Sequence, residues 1–133
     1  MMACLGLIHF NRVMTHRILI VDDQPQICEL YSLFFEREGM RASRAGTAAE
    51  CLSSLAKDKP DLVLLDINLA EEDGLDVLAR IKQADPHTRV VMMTGMGYVD
   101  DLLREALNRG ADGYVSKGLP CEELLQAVKR VMP

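Results

Sequence analysis

The sequence contains no tryptophan, and aromatic residues make up only 5% of its 133 positions, so any core must be aliphatic. Its four cysteines, Cys4, Cys28, Cys51 and Cys121, include no pair spaced as CxxC or CxxxC. A zinc site therefore has no local ligand spacing to start from, and a secreted disulfide scaffold is excluded by their scarcity. No stretch reaches the roughly 18–20 consecutive apolar residues that a membrane span requires. A basic excess is missing as well. Fifteen Lys and Arg against 20 Asp and Glu leave a formal charge of −5, which argues against direct binding of DNA or RNA. Internal repeats, low-complexity tracts and linkers are absent too. What is there, at 49% hydrophobic and 26% charged, is the composition of one globular domain.

Cys28, Cys51 and Cys121 read as small apolar residues on helix faces, a usage that suits a reducing cytoplasm. The opening MMACLGLIHFNRVMT has no positively charged leading region, and His9 breaks its longest apolar run, which makes it a poor signal peptide. Met14 offers a second translation start. Residues 1–15 are accordingly expected to be an N-terminal extension, and residues 16–133 the domain.

From His16 onward, short apolar runs alternate with amphipathic stretches. Ile18–Val21, Leu62–Leu65 and Val90–Met93 are apolar at consecutive positions, the pattern of strands covered on both faces, as in a parallel sheet. Met40–Ala45 predicts a weaker strand and Gly113–Val115 a short last one. Between them, Pro25 at a first helical position precedes an inward stripe of Ile27, Leu30, Tyr31 and Phe34. Thr47 and Glu50 form a capping box ahead of Cys51, Leu52 and Leu55. Asp73-Gly74 opens a third helix carrying Leu75, Leu78 and Ile81. Val99, Leu102, Leu103, Ala106 and Leu107 make a fourth stripe, stopped by Gly110. Pro120 opens a fifth, with Cys121, Leu124, Leu125 and Val128 inward. Five strands alternating with five helices predict an α/β fold around a parallel sheet.

The polar residues fall where these strands end: Asp22 and Asp23, Asp66, Thr94, and Lys117. In an open parallel sheet, sites form outside the carboxyl ends of the strands. Separations of 44, 28 and 23 positions thus collapse into one cleft. A single aspartate there could simply cap the next helix, which accounts for Asp73 and could account for Asp23. Capping does not account for all five together. Adjacent carboxylates repel by about 4 kcal/mol per pair at 4 Å and an effective dielectric of 20, so the cluster calls for a cation. Oxygen-only ligands in an open site favour Mg²⁺. A metal, a lysine and a hydroxyl around one carboxylate describe a site for an incoming phosphoryl group, with the carboxylate as nucleophile.

In these motifs, ILIVDD at 18–23, LVLLDINLAEEDG at 62–74, VVMMTG at 90–95 and GADGYVSKG at 110–118, the chain resembles the receiver domains of two-component response regulators. The resemblance spans about His16 to Met132. It implies a flavodoxin-like, doubly wound sheet of order 2-1-3-4-5. It also implies that Asp66 is the phosphoacceptor, that Asp23 and Asp22 hold Mg²⁺ with Asp66 and the backbone carbonyl of Asn68, and that Lys117 pairs with the phosphoryl oxygens. Thr94 would move toward the phosphate and Tyr114 rotate inward, biasing a surface on the fourth helix, fifth strand and fifth helix. Gly95 beside Thr94 leaves the phosphoryl group room to approach. The implied partners are a sensor histidine kinase or histidine phosphotransfer protein, a downstream effector or C-terminal output domain, and a second copy of the chain through that same face. Such a chain is a cytoplasmic signalling receiver, catalysing only its own phosphorylation and slow dephosphorylation.

Two positions depart from the pattern. Gly118 follows Lys117 where proline is usual, so a trans bond or a remodelled loop is expected there. Ala70 replaces the proline common four residues after the phosphoacceptor, which predicts a looser loop. Met96, two residues after Thr94, cannot orient a water, which points to slow intrinsic loss of the phosphoryl group. Glu71-Glu72-Asp73 reads as a solvated loop, Met92, Met93 and Met96 as packing residues, and His9, His16 and His87 sit on no motif.

Other function classes fit less well. Gly95–Asp100 fails the dinucleotide fingerprint at its last position. An aspartate-nucleophile phosphatase needs a second carboxylate where Asn68 stands. An EF-hand needs an oxygen ligand and a glycine where Ala70 and Glu71 stand. The remaining alternative is a receiver-fold interaction module that signals without phosphorylation.

Overall fold

The computed structural model describes residues 15–95 and 99–132. The extension up to Met14, with Cys4 and His9, and the expectation resting on Met96 lie outside the described residues. Five parallel strands form one sheet: β1 (Arg17–Val21), β2 (Arg41–Ala45), β3 (Leu62–Asp66), β4 (Arg89–Thr94) and β5 (Gly113–Ser116). Their order is β2-β1-β3-β4-β5, as the resemblance implies. The helices are α1 (Pro25–Arg37), α2 (Ala48–Asp58), α3 (Gly74–Ala84), α4 (Asp100–Asn108) and α5 (Cys121–Val131). α1 and α5 cover one face of the sheet and α2, α3 and α4 the other, as the two apolar clusters show. Ile18, Ile20, Leu62 and Leu64 meet Phe35 and Val128 on one side, while Leu19, Val63 and Leu65 meet Cys51, Leu78 and Ala106 on the other.

This double coverage explains the strand sequences. All of β3, and β1 and β4 beyond their first arginine, are buried, so both alternations of each central strand must be apolar. β2, at the sheet edge, is half-exposed and carries Arg41, Ser43 and Arg44, hence its weak signal. The Val21↔Leu65 and Leu65↔Met92 registers align the carboxyl ends of β1, β3 and β4. Thr94 pairs with Ser116 at the same edge. α1 ends at Gly39, whose positive φ lets the Met40 amide reach back to the Phe35 carbonyl, and Gly110 ends α4 in the same conformation.

Three local expectations need correction. The buried face of α1 is Cys28, Tyr31, Ser32 and Phe35, one position along from the stripe read in the sequence, and Leu30 is 52% exposed. Phe35 is fully buried in the cluster with Ile18, Ile20, Leu62 and Leu64, Phe34 packs against that cluster only in part, and Leu33, at 59% exposure, and Leu30 face outward. On α4 only Ala106 is buried; Leu102 packs in part, and Val99 and Leu107 are exposed. The first residue outside α1 is Gln24, not Asp23, so capping does not account for Asp23.

Candidate functional site

The β1–α1 junction is shaped by Asp22. Its Oδ1 accepts the Gln24 amide at 2.9 Å, while its own amide continues the β1–β2 ladder to the Ala45 carbonyl. The turn buries Asp22 and leaves Asp23 more open to solvent. Asp66 terminates β3, is 3% exposed, and accepts the Asn68 amide at 3.0 Å through Oδ1. Asp22, Asp23 and Asp66 each present a carboxylate oxygen within 4.8 Å of the others. Lys117, past the end of β5, donates from Nζ to Asp66 Oδ2 at 2.9 Å and forms an ion pair with Asp22 Oδ2 at 2.6 Å. Its backbone amide is held by the Thr94 carbonyl at 2.8 Å, which ties the lysine loop to the end of β4.

The charge balance follows. Three carboxylates and one ammonium leave about two negative charges in a half-enclosed site, matched by one divalent cation. The donor set, all oxygen and carrying excess negative charge, suits a hard divalent cation such as Mg²⁺. Burial pushes the Asp66 carboxyl above its ordinary range, against the lowering effect of the Lys117 and Asn68 hydrogen bonds. Burial works to lower the Lys117 pKa, but its bonds to Asp22 and Asp66 prevail and hold the ammonium above its usual value. Beside the cluster, a pocket of about 290 Å³ is lined by Asp22, Asp23, Cys28, Arg44 and Glu50 among others.

Thr94 is fully buried at the end of β4, and Tyr114 is half-buried on β5, packed against the same cluster as Leu102 and Ala106. The Lys117–Gly118 bond is trans, with the Gly118 amide on Ser116 Oγ at 3.3 Å. The absent proline is thus replaced by a side-chain-supported turn. Tyr31 adds a long contact from its hydroxyl to the Lys117 carbonyl at 3.5 Å.

The segment after Asp66 carries a short pairing of its own. Asn68–Leu69 and Glu72–Asp73 pair as a two-residue antiparallel ladder, and Asp73 caps α3 by accepting the Leu75 amide at 2.9 Å. Glu72, read as solvated, accepts the Ala48 amide at the start of α2 at 3.0 Å. The Glu72–Ala48 and Tyr31–Lys117 contacts, and the one in which Cys28 Sγ donates to the Asp22 carbonyl at 3.3 Å, were invisible in the sequence, because each joins segments with no shared periodicity. Of the capping box, Thr47 accepts the Glu50 amide as expected, whereas the Glu50 side chain reaches Gly46 instead of Thr47.

Clustered carboxylates joined by a lysine thus gather at the carboxyl edge of a five-stranded parallel sheet, where doubly wound α/β proteins place their sites. The family model for the response regulator receiver domain matches residues 18–129, and the chain belongs to that family of two-component signalling proteins. Among relatives, it is 36% identical over 121 residues to sporulation initiation phosphotransferase F of Bacillus subtilis, covering 91% of this chain and 97% of that one. It spans only 49%, 45% and 50% of the length of three transcriptional or DNA-binding regulators. Among solved structures, a CheY-like receiver domain protein from Methanospirillum hungatei superposes with a TM-score of 0.81 at 32% identity, over 87% of this chain and 92% of that one. A response regulator from Burkholderia pseudomallei, solved with a phosphorylated aspartic acid, calcium ion and citrate, gives 0.79 at 25% identity, over 84% of this chain and 65% of that one.

Proposed function

We propose that this chain is a phosphoryl-accepting switch of a cytoplasmic phosphorelay, with Asp66 as acceptor. A carboxylate oxygen of Asp66 attacks the phosphorus of a phosphohistidine on a sensor kinase or phosphotransfer protein. The N–P bond breaks as the O–P bond forms, and the imidazole nitrogen keeps the electron pair and takes a proton. Asp22, Asp23, Asp66 and the Asn68 carbonyl would hold Mg²⁺, which when bound offsets the charge of the carboxylates and of the incoming phosphoryl oxygens. Lys117 pairs with those oxygens. The observation that carries the reading is the Lys117 ammonium seated between Asp22 and Asp66 at 2.6 and 2.9 Å, a fixed positive charge where phosphoryl charge would arrive. The phosphorylated aspartate in the Burkholderia protein supports it.

Phosphorylation adds about 1.5 to 2 negative charges and three acceptor oxygens beside Thr94. The Thr94 hydroxyl then moves to the phosphoryl group, Tyr114 turns into the space behind it, and the α4–β5–α5 face changes its affinity for an effector, an output domain or a second copy. Incubation with Mg²⁺ and acetyl phosphate, followed by intact-mass measurement, should add about 80 Da, the mass of one phosphoryl group, and Asp66→Asn should abolish it. No adduct with any small phosphodonor would refute the switch and leave an interaction module that signals without phosphorylation. Thr94→Ala should still accept phosphate yet fail to change partner binding.

A further inference from the structure

We infer that Glu72 is a positioning residue for the phosphoryl site, holding the Asn68 segment in register by anchoring it to α2; this rests on the proposed metal and phosphoacceptor roles of Asp66 and Asn68. Residues 67–74 form a closed loop. The Gly74 amide bonds the Ile67 carbonyl at 2.8 Å at its base, and Asn68↔Asp73 and Leu69↔Glu72 pair above it. A two-residue ladder has little stability of its own. Leu69 fixes one strand by burial among the residues on the α2 and α3 side of the sheet. Glu72 fixes the other: its Oε1 accepts the Ala48 amide at 3.0 Å, and Arg80 of α3 stands 3.8 Å from Oε2.

Ala48 is the first residue of α2 and is buried, so its amide has neither an intrahelical acceptor nor ready access to water. The carboxylate meets a real need there and gains from the positive end of the helix. Together with the Asp73 cap on the Leu75 amide, this contact stops the ladder from turning about Leu69. Turning would swing Asn68, whose amide also holds Asp66 Oδ1.

The test uses the full chain, Mg²⁺ titration by calorimetry, and the acetyl phosphate reaction at several Mg²⁺ concentrations. Glu72→Ala should bind Mg²⁺ about tenfold more weakly, in line with losses when ligand-supporting groups are removed, and should recover its phosphorylation rate at saturating Mg²⁺. Glu72→Gln, whose amide oxygen still accepts the Ala48 amide, should stay close to wild type. Thr47→Ala removes a cap from the same helix end without touching the ladder, and should lower stability while leaving Mg²⁺ affinity unchanged. Wild-type affinity in Glu72→Ala would overturn the inference, as would an equal loss in Glu72→Gln, which would assign the effect to charge. A wild-type chain that neither binds Mg²⁺ nor forms the adduct would overturn the proposed function and the inference together.

Discussion

Replacing Gly74 with alanine adds one methyl group at the junction of β3 and α3. Its Cβ would overlap the Asp66 carbonyl oxygen and lie 2.6 Å from the Ile67 Cα and 2.8 Å from the Ile67 carbonyl oxygen. Carbon contacts are comfortable only at about 3.5–4.0 Å, so the deficit is roughly 1 Å. All three neighbours are backbone atoms, which cannot rotate aside. The start of α3 must therefore back away from the end of β3. Overpacking of this kind costs about 1–3 kcal/mol, and stretching the Gly74–Ile67 hydrogen bond adds about 1 kcal/mol. The helix preference of alanine over glycine returns at most about 1 kcal/mol, and less at the first position of a helix. A net loss of about 2–3 kcal/mol follows.

Urea unfolding monitored by circular dichroism reads this directly. With a slope of about 1–3 kcal/mol per molar for a small protein, the midpoint should fall by roughly 1–2 M. Gly118→Ala is the matched control. Its Cβ would meet only Ser116 Oγ at 3.7 Å, an ordinary contact, so its midpoint should stay near that of wild type. The displaced junction also moves the Asp66 carbonyl and the Asn68 turn, so Gly74→Ala should accept phosphate more slowly even in buffer where it remains folded. A Gly74→Ala midpoint matching that of Gly118→Ala would refute the close-approach argument.

Further expectations rest on single groups. Because burial raises the Asp66 pKa, the folded chain favours its neutral acid; that stabilisation is complete below the unfolded value of about 3.9 and is lost as pH rises through the higher folded one. In Mg²⁺-free buffer, Asp66→Asn should therefore gain stability relative to wild type as pH rises from about 4 to 7, the range above the ordinary carboxylate pKa, and a pH-independent difference in urea midpoints would contradict this. Cys51 is fully buried, with its thiol pushed up to about 12, and Cys28 is nearly as enclosed, whereas Cys121 is partly open. Iodoacetamide at neutral pH followed by peptide mapping should mark Cys121 well ahead of both. Asp112 Oδ2 accepts both Lys82 Nζ at 2.8 Å and the Val90 amide at 2.9 Å, so Asp112→Ala should cost about 2–3 kcal/mol. Asp76→Ala breaks only the open Arg109 pair and should leave the thermal midpoint close to that of wild type.

The contrast between what could and could not be read from the sequence has one physical source. Ile18–Val21, Leu62–Leu65 and Val90–Met93 reveal themselves because a strand buried on both faces must be apolar at every position, and their polar terminators then mark one edge of the sheet. Asp22, Asp23, Asp66 and Thr94 are legible for that reason, and Lys117 by its place just past the short, half-buried last strand. Helix faces are weaker evidence wherever apolar residues outnumber the places that bury them. In α1, Leu30, Leu33 and Phe34 compete with Cys28, Tyr31 and Phe35, and the choice depends on where the strand ends lie, which no local pattern encodes. The loop after Asp66 escapes for the opposite reason, since one of the contacts that hold it is a carboxylate reaching an amide 24 positions away. Glu72 has the composition of a solvated residue and the role of a fastener. A polar side chain near a strand end is therefore best judged by which orphaned helix amides the fold brings within its reach, because those amides need an acceptor whether or not any ligand does.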